Sequence, residues 1–310
     1  EFTMSTNRRT RRIAAVLVAV TLGAAACSSG SSSTPTTAKS SLPTQVIATQ
    51  AKDSAAAALV PASIASTGQI TYAMDASYPP DEFIAPGTNT IVGMDADLGK
   101  AIAEVLGLTP VMKNVTFDNI IPGLQANKYD VGLSSFTDTL ARQKVVDFVD
   151  YFQAGEAFYV KSGSTLSFTD LNSLCGHSVA VESGTVEETD AKAANAACTK
   201  AGKKGVTVQS FSDQNAVNLA VSSGRADVGF ADSQVSGYVV AQSNGAFKLS
   251  GQAFAVAPYG IATPKGNGMD TAIAAAVTVL INNGTYAKIL QKWGVQDGAV
   301  SKVTINGATS

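Results

Sequence analysis

Apolar and polar positions alternate in short blocks from about residue 69 onward, and the period switches repeatedly between that of a strand and that of a helix. Residues 69–74 predict a strand. From Met94, the apolar positions Leu98, Ile102, Val105 and Leu106 recur at helical spacing until Gly107, with Pro110 just beyond. Residues 111–115 predict a strand, 118–127 a helix and 130–133 a further strand. Later strands are expected at 179–181, 206–211 and 226–230, separated by helical runs. Two helices, 270–282 and 285–293, close the pattern, with Gly284 as the break between them. Alternation of this kind predicts an α/β fold in layers.

The pattern contains an internal repeat. Lys128-Tyr129-Asp130-Val131-Gly132-Leu133-Ser134-Ser135 aligns with Arg225-Ala226-Asp227-Val228-Gly229-Phe230-Ala231-Asp232. Each copy follows a helix and runs from a basic residue through an Asp-Val-Gly strand to a polar pair. Two α/β lobes of similar logic would each deliver polar groups at a strand's carboxyl end, where open α/β sheets bind ligands. Chance similarity between two strand beginnings is the plainer reading of eight residues.

A different pattern precedes the folded region. Glu1-Phe2-Thr3 before Met4 reads as a cloning remnant and is set aside. Arg8, Arg9, Arg11 and Arg12 lead into an apolar run over 13–26, short of the roughly 20 residues that span a bilayer. This predicts a removable secretory signal. Leu22-Gly23-Ala24-Ala25-Ala26-Cys27 resembles a bacterial lipoprotein cleavage region, with Ala24 where such signals usually carry Leu, and Cys27 is the expected lipidation site. Ordinary signal cleavage with an incidental Cys27 is the competing reading. Residues 28–41, nearly all Ser, Thr, Gly, Pro and Ala, predict a flexible tether. The expected organisation is signal 1–27, tether 28–52, a first lobe from 53–157 plus 258–310, and a second lobe from 158–257.

Beyond the leader, 18 Lys and Arg stand against 23 Asp and Glu, a net charge of −5 that disfavours nucleic acid and anionic membrane surfaces as partners. Two arginines remain there, Arg142 and Arg225. Cys175 and Cys198 form an even pair in an exported chain and predict a disulfide. With His177 the single histidine, no metal set and no cofactor are expected.

The candidate chemistry sits at Ser134–Arg142, Ser-Ser-Phe-Thr-Asp-Thr-Leu-Ala-Arg. An Arg fork matches a carboxylate through two parallel hydrogen bonds, and nearby hydroxyls and backbone groups add donors and acceptors. Asp232, on the other half of the repeat, would supply the countercharge for an ammonium. Together they would clamp a zwitterion; on these residues alone a surface role for Arg142 stands equally.

Residues across 68–295 resemble the polar amino-acid-binding family of periplasmic solute-binding proteins that serve ABC importers. They include Asp75-Ala76-Ser77-Tyr78-Pro79-Pro80, Gly93-Met94-Asp95-Ala96-Asp97-Leu98, Phe117-Asp118-Asn119-Ile120-Ile121-Pro122-Gly123-Leu124, Ser134–Arg142, Ser183-Gly184-Thr185, Asp232 and Lys292-Trp293-Gly294. The resemblance implies a two-lobed periplasmic-binding-protein fold of type 2, with a ligand cleft between the lobes. Its hinge is two crossover strands, near 155–161 and 257–264. Arg142, with Thr137 and Ser135 beside it, is implied as the ligand's α-carboxylate site, joined by Thr185 after Gly184. Asp232 is implied as the α-ammonium partner, Tyr78 and Phe117 as walls against the ligand side chain, with a core role open for Phe117. Asp75 matches a position that meets polar or cationic side chains.

Glu182 follows the 179–181 strand at a position that borders the ligand in relatives. With Asp75 it predicts an acidic distal pocket and a cationic or amide amino acid; a solvent-facing position of Glu182 at the cleft rim stands equally. The expected partners are a free amino acid, a membrane permease and, through the lipid, the outer face of the cytoplasmic membrane; the expected state is monomeric. Binding without catalysis is the expected role. A sensor reporting to a receptor, or a lyase of the cyclohexadienyl dehydratase kind on the same fold, are the alternatives.

Overall fold

A computed structural model describes residues 42–309; the signal, Cys27 and most of the tether lie outside the described residues. The strands in chain order are β1 (Gln69–Met74), β2 (Ser77–Tyr78), β3 (Glu82–Ile84), β4 (Ile91–Val92), β5 (Thr109–Asn114), β6 (Val131–Gly132), β7 (Val146–Lys161), β8 (Ser178–Glu182), β9 (Thr207–Phe211), β10 (Val228–Asp232), β11 (Phe247–Pro264) and β12 (Ala299–Ile305). The helices are α1 (Ser54–Ala57), α2 (Ala62–Ala65), α3 (Met94–Leu106), α4 (Phe117–Gln125), α5 (Val186–Lys200), α6 (Gln214–Ser223), α7 (Ser233–Gln242), α8 (Met269–Asn282) and α9 (Thr285–Trp293).

The strands form one sheet in the order β5-β1-β6-β11-β7-β10-β8-β9, with β12 on β7, and a small β2-β3-β4 sheet beside it. At one end β5, β1 and β6 are parallel; at the other so are β10, β8 and β9. Between them β7 and β11 run antiparallel over their length, from Phe247 opposite Lys161 to Pro264 opposite Val146. This is the two-lobed fold with paired crossover strands. The register of β11 slips between Ser250 and Phe254 and again between Phe254 and Ala257. A β-carbon at Gly155 would come within 2.7 Å of the Phe254 carbonyl, so glycine lets the two crossovers touch where they pass between lobes.

Local chemistry explains most element ends. Helix α3 buries Leu98, Ile102, Val105 and Leu106 and stops at Gly107, left-handed at φ 70°. Strand β5 starts at Thr109, earlier than the pattern predicts, because an edge strand tolerates Pro110. Strand β6 is only Val131–Gly132. The repeat is structural: Asp130 accepts from the Thr71 N–H of β1 at 2.8 Å, and Asp227 accepts from the Ser178 N–H of β8 at 2.8 Å. In each copy the aspartate ties its strand to the neighbouring parallel one.

Three apolar clusters support this frame. One packs β1, α3 and α8 (Ile70, Leu98, Ile102, Ile273), and another fills the second lobe around Phe158, Phe168 and Phe230. The third joins Phe117 and Phe136 to Val217 and Val235, side chains from both halves of the chain. The second lobe is also stapled by a disulfide between Cys175 and Cys198, with Cα atoms 5.6 Å apart and a sequence separation of 23. Closing a loop of that length stabilises by about 3 kcal/mol in the chain-entropy model. Replacing both cysteines with serine is expected to lower the denaturation free energy by about that amount. A urea melt showing no change would refute it.

Candidate functional site

The carboxyl ends of β6 and β10 face a narrow cavity between the lobes. The first lobe lines it with Tyr78, Phe117, Ser135, Thr137 and Arg142; the second with Thr185, Val186, Glu187 and Asp232. Seven of the eleven ligand residues expected from the sequence therefore meet at one place.

Two adjacent aromatic rings and two backbone carbonyls hold Arg142. Its guanidinium lies 5.4 Å from the centroids of Phe117 and of Phe136, and these two rings stack at 4.4 Å. Nη1 donates to the Thr137 carbonyl at 2.8 Å, and Nη2 donates across the cleft to the Gly184 carbonyl at 2.9 Å. The backbone N–H of Arg142 donates to Thr139 Oγ1 at 3.2 Å. Two acceptors leave other guanidinium donors available, since the group carries five. Gly184 has φ +83°, and a β-carbon there would lie 3.0 Å from Asp118 Cβ, so the turn before α5 approaches the first lobe only as glycine.

Thr185 caps α5: its Oγ1 accepts from the Glu188 N–H at 3.1 Å and donates to the Glu182 carbonyl at 2.8 Å. The start of α5 thus points N–H groups and the positive end of a helix dipole toward Arg142's neighbourhood, where a carboxylate is favoured. Asp232 ends β10. Burial, then the proximity of Glu187, raises its pKa well above the ordinary carboxylate range, while the Tyr259 hydroxyl beside it lowers it. Glu187, 3% exposed, has Oε1 without a hydrogen-bond partner; burial raises its pKa, and Arg142 lowers it.

Asp75 and Glu182 lie behind Tyr78. Asp75 Oδ2 accepts from the Phe117 N–H at 2.9 Å, and burial is the main cause of its raised pKa. Glu182 is 2% exposed, and among the described residues neither its carboxylate oxygens nor the Tyr78 hydroxyl has a partner in good hydrogen-bond geometry, although Tyr78 and Asp75 lie close enough to Glu182 to shift it. Burial first, and the Asp75 charge second, push Glu182 up to about 10. Ser134 stands apart from the cavity. Its hydroxyl accepts from the Asp75 N–H at 2.8 Å and donates to Glu82 Oε1 at 2.7 Å, which makes it a support for Asp75.

Sequence reasoning passed over several residues here. Phe136 provides a second ring against Arg142, stacked on Phe117, although it lies within Ser134–Arg142. Glu187 reads as an ordinary acid in a first helical turn, so only its burial marks it. Asp81, Glu82 and Asp95 form a fully buried acidic cluster under Ser135, whose hydroxyl donates to Asp81 at 3.0 Å and whose N–H donates to Asp95 at 3.1 Å. Gln234 of α7 donates to Asp81 at 2.8 Å and to the Tyr259 hydroxyl at 2.6 Å, tying the second lobe to the first. No spacing rule connects these positions.

Comparison with known proteins shows the family. The model of the bacterial extracellular solute-binding proteins, family 3, matches residues 70–296, and the chain belongs to that family. It is 34% identical over 250 residues to the arginine-binding protein ArgT of Corynebacterium glutamicum, covering 80% of this chain and 82% of that protein. It is 31% identical over 219 residues to the ABC transporter glutamine-binding protein GlnH of Bacillus subtilis, covering 69% of this chain and 77% of that one. Among solved structures, an ancestral arginine-binding protein bound to arginine superposes with a TM-score of 0.67 at 37% identity, over 73% of this chain and 98% of that chain.

Proposed function

We propose that this chain is the extracytoplasmic solute-binding component of an ABC importer and captures a free basic L-amino acid, arginine first, between its lobes. The observation that carries the reading is Glu182, a buried carboxylate whose oxygens face only the Tyr78 hydroxyl and the Asp75 carboxylate, with no cationic partner among the described residues. An isolated buried carboxylate is unfavourable unless paired, and a guanidinium offers planar donors that satisfy two acidic groups at once. Arg142, Thr185 and the α5 start would take the α-carboxylate, Asp232 the α-ammonium, and Tyr78 and Phe117 the aliphatic stem. Ser135 and Thr137 would complete the carboxylate's surroundings. The names of the relatives above, one arginine-binding and one glutamine-binding, support a basic or amide ligand. No step of this reading needs covalent chemistry.

We infer further that residues 1–27 direct export, that Cys27 carries a lipid, and that the stretch after it, up to where Gln50 bonds to Glu104 and Thr285, tethers the domain to the outer face of the cytoplasmic membrane, near a permease. The lobes divide at the paired crossovers, with 53–157 and 258–310 on one side and 158–257 on the other. The protein acts as a monomer.

Calorimetric titration with arginine, lysine, glutamine and glutamate tests the ligand. Arginine is expected to bind with micromolar or tighter affinity and to release about one proton at pH 7, seen as a heat that varies with buffer ionisation enthalpy. Glutamate is expected to give no heat. Tight glutamate binding, with no response to the other three, would overturn the acidic-pocket reading.

A further inference from the structure

A short segment beyond the family-matched residues reaches back to the loop that carries Arg142. Residues 304–308 run along the start of β7 and bond to three of its neighbouring acids. Thr304 Oγ1 donates to Asp150 Oδ2 at 2.8 Å, and the Gly307 N–H donates to the same oxygen at 2.9 Å. Asn306 Nδ2 donates to Asp147 at 2.9 Å, while the Asn306 side-chain oxygen accepts from the Phe148 N–H at 2.9 Å. The last link leaves β7: the Ala308 N–H donates to Asp138 Oδ2 at 3.1 Å.

Asp138 is the centre of the loop. Both its carboxylate oxygens accept from Gln143 Nε2, each at 2.9 Å, which closes residues 138–143 into a staple around Arg142. Its N–H donates to the Pro258 carbonyl of the crossover strand at 2.9 Å. The residues on either side hold the arginine directly, Thr137 through its carbonyl and Thr139 through its hydroxyl. Asp138 is 1% exposed, so its carboxylate depends on these few donors for satisfaction.

The geometry points to Asp138 as a positioning residue for Arg142, kept in place by residues 304–308 acting as a strap from outside the shared family core. The strap does not touch the ligand site. It fixes the loop conformation in which Thr139 holds the backbone N–H of Arg142 and the Thr137 carbonyl holds its guanidinium, so that binding does not have to order the loop. This inference rests on the proposed role of Arg142 as the carboxylate site.

Three variants, each titrated with arginine, test it: Ala308→Pro, which removes the N–H donor to Asp138; Asp138→Ala; and a chain ended after Ser301. Amide hydrogen exchange of residues 138–145 in the ligand-free protein gives a readout independent of the ligand. The expected result is five- to twentyfold weaker arginine binding in all three, faster exchange across 138–145, and for Ala308→Pro an unchanged melting temperature. In an Arg142→Lys background, Ala308→Pro is expected to cost less than twofold more, because the fork it positions is gone. If the shortened chain does not fold, Ala308→Pro and Asp138→Ala decide the matter. Unchanged affinity and unchanged exchange in those two overturn the strap, whereas wild-type affinity in Arg142→Ala would overturn the site assignment itself.

Discussion

Replacing Arg142 with alanine is expected to weaken arginine binding by at least about 100-fold while lowering the melting temperature by about 5–15 °C with the fold retained. The two effects separate because Arg142 does different things in the two states. In the free protein it contributes two hydrogen bonds to carbonyls and a pair of cation–π contacts with Phe117 and Phe136. Such contacts are worth about 0.5–2 kcal/mol each at a partly buried site. In the complex its loss would strand the ligand's carboxylate in a cleft closed by aromatic rings, and truncating one partner of a buried charge pair costs about 2–5 kcal/mol. The link to Gly184 also crosses between lobes, so the variant loses part of what holds the closed arrangement. Calorimetry and a thermal melt on the same preparation check both halves. Affinity within fivefold of the parent would refute the assignment.

The second large effect is expected at Glu182. Glu182→Gln keeps the size and polarity of the side chain and removes its charge, and it is expected to weaken arginine binding by about 30-fold or more. The pH dependence makes the test specific. With a folded-state pKa raised from 4.5 to about 10, Glu182 contributes stability that is fully present below its unfolded value and fades as pH rises toward 10. At neutral pH the free site therefore holds a proton on Glu182, and a guanidinium must displace it. Arginine affinity is expected to rise between pH 6 and 8, by up to tenfold per unit for each proton released. In Glu182→Gln the count of released protons should fall by about one, and the free protein should lose less stability above pH 8. Equal proton release in parent and variant would place the displaced proton elsewhere, on Asp75, Glu187 or Asp232.

Much of this architecture is written in local pattern. The helix of Met94–Leu106 follows from apolar spacing and a terminal glycine, and the parallel strands follow from short β-favouring runs between helices. The repeat around Asp130 and Asp227 was legible as eight aligned residues, and both aspartates then make the same bond to a neighbouring strand. The two longest strands were not legible. Val146–Lys161 and Phe247–Pro264 are nearly continuously buried or irregular in register, so neither shows the alternation by which a strand is recognised.

The α/β alternation, the cysteine pair and the residue types able to grip a zwitterion can be read along the chain, because each is a matter of local order and composition. What those residues face depends on the packed fold. It put Phe136 behind Arg142, turned Ser134 inward to support Asp75, buried Glu187 beside Asp232, and carried residues 304–308 back to Asp138. Burial and charge proximity depend on side chains brought together from positions tens to hundreds of residues apart. A carboxylate such as Glu182 becomes a cation receptor only when the fold removes its water and supplies no partner of its own.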